Sequence, residues 1–209
     1  MDLLARWPLP EHPDLAERLV AAYGEERRGY HDLRHLTEVL DRLDELAAAG
    51  TSFDPVVVRL AAWFHDAVHD GRPGDEERSA RWAEQALAGA AVAPPVVAEV
   101  ARLVLMTEHH DPAPDDADGA ALSDADLAIL AAPRERYADY VADVRLEYAH
   151  VSDRDFALGR TAVLRALLAA DRLFRTDLGH ERWEAAARRN VEADLAALAE
   201  RLDLSGGRS

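Results

Sequence analysis

The chain has 209 residues, 40 acidic side chains against 24 basic ones, a formal net charge of −16 and no cysteine; every basic residue is arginine. Without cysteine or lysine there is no thiol nucleophile, disulfide or thiolate metal site, no lysine Schiff base, and no Walker loop, which needs its lysine. The acidic balance leaves no basic stripe for nucleic acid and disfavours anionic membranes.

The elements read helical from end to end, because Ala, Leu, Arg and Glu dominate. Pro13 and Asp14 open a helix to about Tyr23, stopped by Gly24. The spacing of Leu33, Leu36, Leu40, Leu43 and Leu46 predicts a helix over His31 to Ala49, with Gly50 as its stop. Asp54-Pro55 starts the next, through Val58, Ala62 and Phe64 to about His69. After the breaker at 71–74 a helix covers Asp75 to Ala88, and Pro95 opens another to His110. The acidic stretch Asp111 to Ala121 reads as a loop, and Ser123 as the N-cap of Asp124 to Ala131. Pro133 to Tyr148, a Ser152-capped helix to Ala170, and Leu178 to Leu202 complete the series. The sum is one all-α domain of eight or nine helices over 1–204, with its core at about 25–175 and a flexible tail at 205–209. No apolar run reaches transmembrane length and no secretory signal opens the chain, so a cytoplasmic protein of unknown oligomeric state is expected.

Nine histidines are the notable resource, and most of them cluster. His31 and His35 stand four apart, on one face of the expected helix. His65-Asp66 ends an apolar helix, His109-His110 ends another, and Asp124 and Asp126 share a short one. Taken singly these are weak signals: His65 alone fits a core histidine, and Asp124 with Asp126 fits a first turn. Taken in order, two imidazoles with two carboxylates make a site for a divalent ion such as Mn, Mg, Fe, Co, Ni or Zn. Four protein ligands leave positions for water and a phosphoryl oxygen.

The ordered set resembles the HD superfamily of metal-dependent phosphohydrolases, an all-α helical bundle with the motif H…HD…D. The segments that carry the resemblance are Arg28 to His35, Ala61 to Asp66, Glu76 to Ala80, Thr107 to His110, Asp124 to Leu130, Arg145 to Tyr148 and Gly159-Arg160. They look like those of one bacterial group of predicted phosphohydrolases and span roughly residues 20 to 180. The resemblance implies that His35, His65, Asp66 and Asp126 hold the metal, with Asp66 also orienting or deprotonating its water. It implies His31 and His110 as further catalytic groups, with His110 preferred over His109 and also placed against substrate. Arg28 and Arg145 are the expected phosphate clamps, ahead of Arg34 and Arg160, and Glu76 an expected support for a ligand histidine. Trp63, Phe64 and Trp82 are expected in the core. The implied partner is a small phosphate ester, such as a nucleotide. One departure stands out: His69 occupies a position where that group usually has tyrosine. It keeps open a di-iron oxygenase on the same fold, and a non-catalytic nucleotide- or metal-binding module is the other alternative.

Overall fold

A computed structural model describes residues 3–206; of the expected tail, 207–209 lie outside the described residues, and the backbone of 205 and 206 continues the last helix. The architecture is all-α, with no strand among the described residues. In chain order the helices are α1 (Pro13–Tyr23), α2 (Leu33–Ala48), α3 (Pro55–Phe64), α4 (Asp75–Gly89), α5 (Pro94–Met106), α6 (Ala117–Leu127), α7 (Arg134–Glu147), α8 (Asp153–Ala169), α9 (Asp177–Arg182) and α10 (Glu184–Gly206). Short 3-10 turns occupy Leu4–Arg6 and Ala128–Ala131. The ten helices exceed the expected number because Trp183 breaks the last one.

The centre is α3, whose residues Val57 to Phe64 are buried apart from Arg59. It is enclosed by α2, α4, α5 and α6. A helix apolar on every side belongs inside a bundle, and Leu60, Trp63 and Phe64 join Leu36, Leu40, Leu43, Leu87 and Leu103 in one continuous core. Trp63 and Phe64 are fully buried, as expected, while Trp82 is only partly buried and packs on Phe64 at the edge of the core. On the other side α10 packs on α8 and on the Ala128–Ala131 turn.

Three sequence expectations are corrected here, each by local chemistry. His31 lies outside α2, because the Asp32 side chain caps that helix by accepting from the backbone N–H groups of Arg34 and His35. The helix before His65 stops at Phe64, so His69 is not on its face; the chain turns through Gly71 and Gly74, both at positive φ. The stretch 117–121 is helical, not a loop: Asp116 caps α6 by accepting from Gly119 N–H, and Ser123 lies inside that helix, fully buried.

Candidate metal centre

Helix ends bring the histidines together. His35 sits in the first turn of α2, held there by the Asp32 cap. His65 and Asp66 follow the last turn of α3, and Asp126 is the penultimate residue of α6. Their ligand atoms converge: His35 Nε2 is 3.0 Å from His65 Nε2, 3.2 Å from Asp66 Oδ2 and 3.2 Å from Asp126 Oδ1. His65 Nε2 is 3.0 Å from Asp66 Oδ2 and 3.7 Å from Asp126 Oδ1. Ligands about 2.0–2.2 Å from a common ion stand roughly 3.0–3.5 Å apart; the ligand atoms of His35, His65 and Asp126 lie within 4.8 Å of one another, a spacing that suits one cation, and Asp66 stands beside both imidazoles.

The donor chemistry also fits. His65 Nδ1–H donates to the Ala62 carbonyl at 2.8 Å, which leaves the Nε2 lone pair of the neutral ring aimed at the centre. Burial opposes charge on His35, but its hydrogen bonds to Asp126 and Asp66 outweigh that and push its pKa up to about 9. His65 is likewise raised against burial, chiefly by the Asp66 carboxylate. Burial would raise Asp66 and Asp126, yet the adjacent imidazoles, His65 first, hold both carboxylates below their ordinary range. A divalent cation held between these imidazoles and carboxylates would offset the two carboxylate charges and would bind the neutral form of the rings.

Around this centre the other expected residues separate. His110, at positive φ just past α5, shares a hydrogen bond with Ser123 Oγ through Nδ1 at 3.2 Å, and its Nε2 is 3.5 Å from Asp126 Oδ2. Burial lowers its pKa, which favours the neutral ring. His109 instead points outward beside Glu108. Asp124 turns away from the centre and anchors the 175–176 backbone, accepting from Arg175 N–H, Thr176 N–H and Thr176 Oγ1 at 2.7–2.8 Å. Burial pushes its pKa up to about 6. The Tyr23 phenol accepts from Asp66 N–H at 3.2 Å and lies 3.4 Å from His65 Nδ1, which steadies the His-Asp pair.

Both expected phosphate clamps are engaged elsewhere. Arg28 is buried and donates to the carbonyls of His31, Asp66 and Ala67 at 2.7–2.9 Å, tying the turn before α2 to the His-Asp pair. Arg145 donates to the Tyr148 and Val151 carbonyls and to Asp153, and lies over the Phe156 ring. These bonds make them positioning residues, a correction to the expected clamps. Arg34 pairs with Glu38, and Arg160 with Asp194. The carboxylates beside His31 and His69 are Glu147, 2.7 Å from His31 Nδ1 and 3.5 Å from His69 Nε2, and Asp75, 3.9 Å from His69 Nδ1.

Asp126 is the residue of the centre that borders a cleft of about 1240 Å³. His31, Thr107, His110 and Asp126 line one part, while α7 and α8 contribute apolar wall such as Val144, Phe156 and Leu164. Arg172 and Arg175 also line it, and Arg175 pairs with Asp111 at 3.0 Å. Sequence reasoning missed these two arginines, which lie outside the histidine segments on a loop held by Asp124 at 175–176 and by Glu184 at 173–174. It also gave no role to Glu147, the last residue of α7, whose Oε2 accepts from His31 Nδ1–H at 2.7 Å. The one available signal was its place in the Arg145-Leu146-Glu147-Tyr148 segment. The chain matches no protein-family model, no curated protein and no solved structure, so its function is read from the geometry of its own site.

Proposed function

We propose that the protein is a metal-dependent phosphohydrolase acting on a small phosphate ester, with its ion held by His35, His65, Asp66 and Asp126. The observation that carries this reading is the convergence of four ligand atoms from three separate chain regions to within 3.0–3.7 Å along the measured pairs. The resemblance to the HD superfamily through the same four residues supports it. A divalent ion there supplies Lewis-acid charge for a phosphoryl oxygen and an acidified water.

The chain's own groups supply the rest. Asp66, a carboxylate beside two imidazoles, is placed to orient the attacking water. His110 stands at Asp126 on the cleft wall, where a ring N–H reaches a phosphoryl oxygen or the leaving group. His31, oriented by Glu147, faces the same cleft. Arg175 and Arg172 are the wall's candidate phosphate contacts. The mixed polar and apolar lining suits an ester whose organic part is a base or another compact ring.

Metal analysis and phosphate release against a panel of nucleotides and sugar phosphates test this together. His65→Ala and Asp126→Ala are expected to lose the ion from this centre and at least a hundredfold of the activity, in line with loss of metal assistance, while the helical circular-dichroism signal stays. An unchanged ion content in both variants would overturn the ligand assignment. Metal-loaded protein that releases phosphate from no ester in the panel would overturn the reaction.

A further inference from the structure

A second set of ligand atoms stands beside the first. Glu147 is almost wholly buried, its side chain 3% exposed. Its Oε1 accepts from three successive backbone N–H groups, those of Gly29, Tyr30 and His31, at 2.9–3.0 Å. Its Oε2 is turned the other way, 2.7 Å from His31 Nδ1 and 3.5 Å from His69 Nε2. The His31 and His69 rings stack with centroids 3.9 Å apart, so both present a nitrogen to the same oxygen. His69 Nε2 is buried and makes no hydrogen bond, a state that native interiors rarely leave uncompensated.

We propose that His31 Nδ1, His69 Nε2 and Glu147 Oε2 form a second metal site, for a borderline divalent cation such as Mn, Fe, Co or Zn. One ligand atom from each of His31, His69 and Glu147 lies within 4.8 Å of the other two. Two imidazoles and one carboxylate are the donor set such ions take, whereas magnesium prefers oxygen alone. The proposal deepens the phosphohydrolase reading and rests on it for the first ion. Four imidazoles run as one row from site to site: His65 to His35 at 5.1 Å, His35 to His31 at 5.6 Å, and His31 to His69 at 3.9 Å between centroids. A cation held by His31, His69 and Glu147 at the far end of that row would add positive charge to the cleft wall that His31 lines.

A purely structural role for Glu147 predicts something different. Its Oε1 alone fastens the 29–31 turn, and the His69 side chain makes no hydrogen bond in that fastening. His69→Ala therefore leaves the turn in place while removing a ligand. Glu147→Gln keeps a carbonyl oxygen for the three N–H groups and removes the charge.

The test counts ions. Chelator-stripped protein is dialysed against Mn²⁺, and in parallel Zn²⁺, and bound metal per chain is measured with low-temperature electron paramagnetic resonance of the Mn²⁺ samples. Wild type is expected to hold two ions and to show about twice the Mn²⁺ signal per chain of a one-site variant. His69→Ala and Glu147→Gln are each expected to hold one, with the six-line spectrum of an isolated ion and unchanged helicity. If Glu147→Gln fails to fold, the His69→Ala count decides. One ion in wild type, kept in His69→Ala and lost in His65→Ala, overturns the second site and leaves the first reading standing. One ion kept in His65→Ala and lost in His69→Ala supports the second site and overturns the first. No bound ion of either metal overturns both.

Discussion

At Gly29 a single hydrogen atom decides whether the turn before α2 can form. A Cβ built there would lie 2.3 Å from the Asp143 carbonyl oxygen and 3.2 Å from Glu147 Cγ. The obstacle is backbone, so a methyl group must push the turn off α7, away from the carboxylate that collects its N–H groups. Gly29→Ala is expected to cost about 1–3 kcal/mol, the usual range for an overpacked contact, measured as a lower urea midpoint at unchanged slope. The same displacement moves His31. Residues of this kind explain which parts of the site were legible. His35, His65, Asp66 and Asp126 carry their chemistry in local motifs, and local motifs can be read. Glu147 reaches His31 across 116 positions, and no local pattern marks a partner at that distance. Arg28 misled in the opposite direction: an arginine beside a histidine motif looks like a phosphate ligand, yet here it bonds three backbone carbonyls.

At the scale of elements, the centre depends on where helices begin and end. Asp32 caps α2 and accepts one of its bonds from the N–H of His35 itself. Asp32→Ala is expected to cost about 1 kcal/mol of stability, as loss of a carboxylate cap usually does, and to weaken metal binding, because the first turn that seats the imidazole frays. Urea denaturation and a metal titration of the same variant check both halves. Most helix starts were visible because proline, aspartate and serine announced them: Pro13, Pro55 and Ser152 all stand at observed starts. The start of α6 was hidden. Its first turns read Ala-Asp-Gly-Ala-Ala, which is loop-like by composition, and burial on both of its flanks overrides that weak preference. Ser123 then imitated a cap while serving as a buried hydroxyl beside His110.

For the whole molecule, the all-α class followed directly from composition, whereas the convergence of the ligands did not. The first centre draws on residues 35, 65, 66 and 126, so it exists only when α2, α3 and α6 are packed together. Period and capping describe each helix but not which ends meet. Charge also acts at this scale. A net charge of −16 raises the local concentration of divalent cations and repels phosphate esters. With no lysine, side-chain positive charge at the cleft falls to arginines such as Arg172 and Arg175 and to any histidine that is protonated.

The grip of Glu147 on three consecutive amides makes residues 29–31 unusual among irregular segments. Backbone outside helices ordinarily trades its amide protons with solvent quickly, since nothing holds them. Here the amides of Gly29, Tyr30 and His31 are held by one buried oxygen, so their deuterium uptake is expected to be as slow as that of the helix that follows. Glu147→Ala should release all three together. Fast uptake at 29–31 in the unaltered protein would mean that the carboxylate does not hold them in solution. The amide that guards the entrance to α2 would thus carry a clock set by a residue at the far end of α7.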